Sequence, residues 1–152
     1  MKYWLMKSEP SSYSIDDLKQ DRKTHWDGVR NYQARNFMRD EMAVGDLVLF
    51  YHSNANPSGI VGVAKVCKTA YPDYTAWDKR SKHFDARSTK EKPAWMMVDI
   101  AYVKKFPEIL ALGDLKTYAK LKNMLLLKKG TRLSIQPVTK SEFDFICGLA
   151  QK

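Results

Sequence analysis

The stretch His25-Trp26-Asp27-Gly28-Val29-Arg30-Asn31-Tyr32-Gln33-Ala34-Arg35-Asn36 sets an indole beside Asp-Gly and follows it closely with an arginine, an asparagine and a tyrosine. An aromatic plane, a cation and an amide that donates and accepts at once suit a flat heteroaromatic ligand. Spacing alone leaves a second reading open, in which Trp26 plugs the core and Asn31 only caps the helix that follows. Two other segments, Phe50-Tyr51-His52-Ser53 and Arg132-Leu133-Ser134-Ile135-Gln136-Pro137-Val138, each run from an apolar strand into hydrogen-bonding residues. Strand ends that open onto loops are common places for ligand groups, so His52, Ser53 and Gln136 are candidates for further walls. Edge residues satisfied by water are the plainer account of the same residues.

Covalent or acid–base chemistry finds less support. His25, His52 and His83 are scattered, and there is no Gly-x-Ser-x-Gly elbow, no His-x-Glu with a later Cys-x-x-Cys and no glycine-rich phosphate loop. The two cysteines, Cys67 and Cys147, make neither a disulfide framework nor a four-ligand zinc site, and are expected as buried free thiols. Neither a metal nor a cofactor is expected. The charge balance is distinctive: 26 Lys and Arg against 17 Asp and Glu leave a net +9. That surplus leans toward a polyanionic partner, because neutralising phosphates releases condensed counterions. Lys79 and Arg80 open a run to Lys90 with five basic residues and one acid, Asp85. Lys116, Lys120, Lys122, Lys128, Lys129 and Arg132 form a second run with no acid. Both are candidate contacts to a nucleic-acid backbone, although a charge run is more often a solvated face.

The elements that must carry these groups read as one domain over residues 1–152. Tyr3–Lys7 is a strand ended by Ser8-Glu9-Pro10, and Ser14 with Asp17 is a capping box before Ile15 and Leu18. From Asn31, the positions Ala34, Phe37, Met38 and Met42 mark a helix with one buried stripe. Leu47–Tyr51 is continuously apolar, as in a strand covered on both faces, and pairs through a polar loop with Ile60–Val66. Trp95–Val103 predicts another core strand. Between them, residues 71–93 read as a solvated excursion. Leu115, Tyr118, Ala119 and Leu121 predict a helix from Leu115 to Leu127, stopped at Gly130. Leu133–Gln136 is a short strand, and Thr139 with Glu142 is a second capping box opening a last helix through Ala150. The class is α+β, five or six strands with flanking helices. No apolar run approaches the ~18–20 residues of a bilayer span, and the first apolar run is too short for a signal peptide. The expectation is a soluble intracellular protein, cytoplasmic if bacterial, monomeric and without a membrane partner.

Taken together, Trp4-Leu5-Met6-Lys7-Ser8-Glu9-Pro10, Trp26 to Ala34, Gly45-Asp46 before Phe50-Tyr51-His52-Ser53, Gly59-Ile60-Val61-Gly62, Tyr71-Pro72-Asp73 and Leu133 to Val138 resemble the signature blocks of the EVE domain family, in its order and across nearly the whole chain. The resemblance implies a PUA-like fold, a small curved sheet or barrel with flanking helices, similar to YTH domains. It also implies a non-enzymatic module that reads a modified base, such as 5-methylcytosine, in DNA or RNA. Carried over by position, Trp26 would be the stacking face, with Ser8, Arg30, Asn31 and Tyr32 nearby and His52, Ser53, Gln136 and Pro137 closing the other side; Lys7 and Glu9 would contribute from the first strand's end. The basic insert Lys79–Lys92 matches no family block. The alternative is a hydrolase of modified nucleosides like the ASCH relatives, with Lys7 and Glu9 as acid and base, but the pattern Gly-x-Lys-x-x-Glu-x-Arg is missing. A protein-interaction adaptor is a third reading, which would require a large exposed apolar patch.

A reader has to take its base from a single strand or flip it out, at about a few kcal/mol. Stacking on an aromatic ring returns ~1–3 kcal/mol, and one buried methyl adds only about 1 kcal/mol. Discrimination should therefore be modest, with phosphate contacts supplying much of the affinity.

Overall fold

The computed structural model describes residues 1–130 and 132–151. The strands β1 (Tyr3–Ser8), β2 (Lys23–His25), β3 (Leu47–His52), β4 (Gly59–Pro72), β5 (Met96–Ala111) and β6 (Ile135–Val138) form one sheet in the order β2-β5-β4-β3-β1-β6. Only β1 and β3 run parallel; the remaining ladders are antiparallel. The order ends at β2 and β6, so the described sheet is open and does not close into a barrel.

Side-chain alternation along the central strands divides the core in two. Trp4 and Met6 of β1, with Val48 and Phe50 of β3, face one layer that also takes in Trp26, Val29, Ala34 and Met38. Leu5, Leu49 and Tyr51 face the other, with Leu115, Leu121, Met124, Leu126, Phe143 and Ile146. This double burial is why Leu47–Tyr51 carries no polar alternation.

On the first face lie α1 (Ile15–Asp21) and α2 (Tyr32–Asn36), the latter passing directly into a π-helical turn, Phe37–Glu41, that keeps Met38 buried. On the second lie α3 (Leu112–Leu115) and α4 (Lys140–Ala150). Both capping boxes are present. Ser14 Oγ accepts from the Asp17 amide at 3.1 Å and Asp17 Oδ2 from the Ser14 amide at 2.9 Å. Thr139 and Glu142 repeat the exchange at 3.1 and 3.0 Å.

Four expectations need correction. The helix expected over Leu115–Leu127 is broken into α3 and two 3₁₀ turns, Ala119–Leu121 and Leu125–Leu127. The residues that reach the core there are Leu115, Leu121, Met124 and Leu126, while Tyr118 and Ala119 are exposed. At 100° per residue those four positions do not share one helical face, so short turns satisfy the apolar demand where one helix would not. The strand expected over Trp95–Val103 runs on to Ala111, matched by a long, repeatedly bulged β4. The excursion after Tyr71 is folded onto the body: Asp73, Ala76 and Ser88 are buried, and the Asp85 carboxylate takes the Trp95 indole N–H at 2.8 Å. Cys67 and Cys147 are only partly buried.

Candidate nucleic-acid interface

The polar edge strand β2 delivers the indole. After His25 the Trp26 amide donates to the Val98 carbonyl at 2.7 Å, so the β2–β5 ladder ends on Trp26 itself. The chain then turns at Gly28, with φ +79°, a conformation that favours glycine. The Gly28 amide donates to Asp73 Oδ2 at 2.8 Å, and Arg30 Nη1 returns to the same oxygen at 3.0 Å. Oδ1 of Asp73 accepts from both the amide and the hydroxyl of Thr75. This wholly buried carboxylate thus ties the turn after Trp26 to the start of the basic insert. Burial alone would raise its pKa, but these donors outweigh burial and hold it below the usual carboxylate range. The second Arg30 nitrogen donates to the His83 carbonyl, and the His83 ring lies against Gly28.

These ties frame a cavity of about 590 Å³. Its walls are the ends of three strands and two loops: Lys7 and Ser8 from β1, Ser12 and Tyr13, Thr24 to Arg30, Ser81 to His83, and Ser134 just before β6. Trp26 lines it with only 8% of its surface exposed, its ring set edge-on against Phe50 at 5.6 Å. The indole is thus at once a core residue and part of the cavity wall. Lys7 and Lys82 share this lining with one carboxylate, Asp27, and with Arg30, whose charge the buried Asp73 already matches. Lys7 is half-buried, and burial lowers its pKa. The Tyr13 phenol is pushed up to about 12 by burial and by its hydrogen bond to Asp21.

Of the residues carried over from the sequence, Ser8, Trp26 and Arg30 line this cavity together. Ser8 is partly committed, its hydroxyl donating to the Tyr13 carbonyl at 2.7 Å. The others lie elsewhere. Asn31 caps α2 through the Ala34 amide at 3.0 Å, and Tyr32 stacks outside, on Trp95. His52 stands behind the wall: Nε2 accepts the Ile15 amide at 3.1 Å, its ring meets Phe50 edge-on, and burial lowers its pKa. Ser53 is fixed by its amide to the Ser8 carbonyl. Gln136 pairs with Leu5, whose side chain belongs to the second core layer, and donates to the Leu133 carbonyl at 3.0 Å. Paired residues of an antiparallel ladder share a face, so Gln136 points to the side of the sheet away from Trp26. Pro137 sits opposite Trp4, toward the far end of β1. The neighbouring Ser134 reaches the cavity where Gln136 does not, and Asp73 stands in the block Tyr71-Pro72-Asp73, without a role that the sequence assigns to it.

Glu9 is outside the cavity, its carboxylate accepting from the Asn54 amide, and among the described residues no ion pair joins it to Lys7. Lys79 and Arg80 are exposed immediately before the Ser81–His83 wall, and Arg132 is exposed two residues before Ser134. Lys116, Lys120, Lys122, Lys128 and Lys129 belong to the layer that covers the opposite face of the sheet. Among the described residues no group of three His, Cys, Asp or Glu could hold a metal ion, and no helix is long and apolar enough to cross a membrane.

The EVE domain profile matches residues 2–149. Thymocyte nuclear protein 1 of Homo sapiens is 46% identical over 99% of this chain and 74% of its own length. A crystal structure of a Pseudomonas syringae protein superposes with a TM-score of 0.94 at 51% identity, covering 97% of this chain and 99% of the other. The crystal structure of human THYN1 in complex with 5-methylcytosine-containing DNA superposes with a TM-score of 0.93 at 44% identity, over 100% of this chain and 99% of the other.

Proposed function

Because the chain belongs to the EVE domain family, we propose that it is a non-catalytic nucleic-acid-binding module that reads a modified base, with 5-methylcytosine in DNA as the first candidate. The single observation that carries this reading is the cavity on which Trp26 borders, ringed by Lys7, Arg30 and Lys82. Its volume falls within the roughly 300–1,000 Å³ of small-ligand pockets, and its excess of cations suits a phosphodiester chain delivering one base. The relative crystallised with 5-methylcytosine-containing DNA supports the choice of ligand. No geometry favours the hydrolase reading, since Glu9 is engaged by Asn54 and lies outside the cavity.

Because only a small part of the indole is exposed, its role is to set the shape of the wall against which a base edge or methyl group packs. Trp26→Ala would also remove a core side chain, at about 3–5 kcal/mol, and so would confuse binding with folding. Trp26→Phe is the cleaner change. Fluorescence anisotropy with labelled oligonucleotides should give a preference for the 5-methylcytosine strand of up to about fivefold, the scale of one buried methyl. Trp26→Phe should shrink that preference while leaving the thermal midpoint within a few degrees, and the probe's mass should be unchanged after incubation. Equal affinity of the native protein for modified and plain strands would remove base reading, and a changed probe mass would replace it with catalysis.

A further inference from the structure

Outside the cavity, Arg30 begins a line of alternating cations and rings. Its guanidinium lies 5.4 Å from the Trp95 ring, Trp95 stacks on Tyr32 at 4.8 Å, and the Arg35 guanidinium lies 4.8 Å from the Tyr32 ring. Trp95 is buried, whereas Tyr32 is 53% exposed. The line runs outward from the cavity wall onto the surface at the start of α2.

Arg35 is held only by neutral oxygens. Nε and Nη2 donate to Asn36 Oδ1 at 3.1 and 2.9 Å, and Nη1 donates to the Ala94 carbonyl at 2.9 Å. Among the described residues it makes no ion pair, whereas Arg30 is matched by Asp73 and the neighbouring Arg87 by Asp85. A guanidinium has five N–H donors. Three are used here, so two remain on a cation whose orientation is already fixed; the carboxylate whose charge it feels, Asp40, is in direct contact with Arg39 instead. A fixed guanidinium with N–H groups to spare and no ion pair of its own among the described residues can donate to the oxygens of a phosphodiester. The exposed Tyr32 phenol beside it adds one more donor.

We propose that Arg35, assisted by the Tyr32 hydroxyl, is a preformed site for the backbone phosphate of the nucleotide flanking the inspected base. The site rests on the reading of the cavity above, since it is the continuation of the wall from Arg30 that makes the ligand a nucleic-acid strand. It would hold the strand in register while the cavity examines one base, and it contributes equally to modified and plain sequences.

The test uses the full chain, a single-stranded oligonucleotide with one central 5-methylcytosine, its plain counterpart, and free 5-methyl-2′-deoxycytidine. Arg35→Gln should weaken both oligonucleotides about tenfold and reduce the slope of log affinity against log salt by about 0.7, one phosphate contact on a single strand. The ratio between modified and plain strands and the binding of the nucleoside, which carries no phosphate, should not change. Arg35→Lys, which keeps the charge but loses the fork, should retain the salt slope while weakening both strands several-fold. Native affinity for the oligonucleotides in both variants would overturn the site, as would native affinity in Arg35→Lys if Arg35→Gln does not fold. An equal affinity of the native protein for the two strands would overturn base reading instead, while the uniform loss in Arg35→Gln would still stand for the phosphate site.

Discussion

The contact between Gly28 and His83 offers a test of how the cavity is walled. A Cβ built on Gly28 would stand 2.5, 2.6 and 2.8 Å from Cε1, Nε2 and Nδ1 of the imidazole, so the ring lies against the bare Cα. Gly28→Ala therefore carries two separable penalties. The backbone at φ +79° disfavours any residue with a Cβ, by about 1–2 kcal/mol. The ring must also swing away by rotation about its side-chain bonds, while the tie from its carbonyl to Arg30 holds the backbone beneath it in place. Overpacking of this kind costs about 1–3 kcal/mol. The sum is about 2–5 kcal/mol, a large share of the stability of a typical domain. In a His83→Ala background the second penalty disappears and only the backbone part should remain. Urea unfolding of the native protein, both single variants and the double variant gives the coupling directly. A coupling of about 1–3 kcal/mol in the rescuing direction is expected. If the two changes add to within about 0.5 kcal/mol, as independent sites do, the imidazole does not rest on Gly28 and the insert does not form that wall.

Two further outcomes are expected. Asp73→Asn replaces one acceptor oxygen with a donor facing either Gly28 and Arg30 or Thr75, and breaking this buried pair should destabilise by about 3–5 kcal/mol in urea unfolding; because the native carboxylate titrates below its ordinary range, the stabilisation it brings is complete above about pH 4 and is lost as the pH falls further, so the gap between native and variant should narrow in acid. The lowered pKa of His52 has the opposite chemistry but the same direction with pH: the unfolded chain binds this proton first, so stability should fall as the pH drops from about 6.5 toward the folded value, and His52→Gln, which keeps an acceptor for the Ile15 amide, should flatten that segment of a stability–pH profile.

Local signals carried much of the fold. Ser14 with Asp17 and Thr139 with Glu142 are self-contained within one helical turn, and each forms the capping box that its spacing predicts. Leu47–Tyr51 could be read because a strand covered on both faces must be apolar throughout. What could not be read depended on partners far along the chain. β2 is three polar residues long and exists because β5 offers it an edge. The turns after Leu115 look helical in sequence because their leucines are dense, and only the core positions Leu115, Leu121, Met124 and Leu126 show that they break. The site divided in the same way. Trp26 and Arg30 stand out by type, but Ser81–His83 reaches the cavity only because Asp73, more than 40 residues from Gly28, ties the insert to the turn. Gln136 lies on the far side of the sheet because a one-residue alternation along β6 decides between the two faces, and nothing in the string Ser-Ile-Gln-Pro fixes that phase.

The antiparallel seam between Tyr3–Met6 and Ile135–Val138 governs the order in which the molecule can be assembled on a ribosome. Most of the sheet can pair while synthesis continues, but the outer flank of the first strand has no mate until Ile135 has left the exit tunnel, and Ser134, the last piece of the cavity rim, arrives with it. Joining segments so distant in sequence is slow relative to local folding. A polypeptide stopped short of that seam would present the naked edge of β1 to other chains, so binding competence and protection from aggregation are acquired together, when Ile135–Val138 pairs with β1.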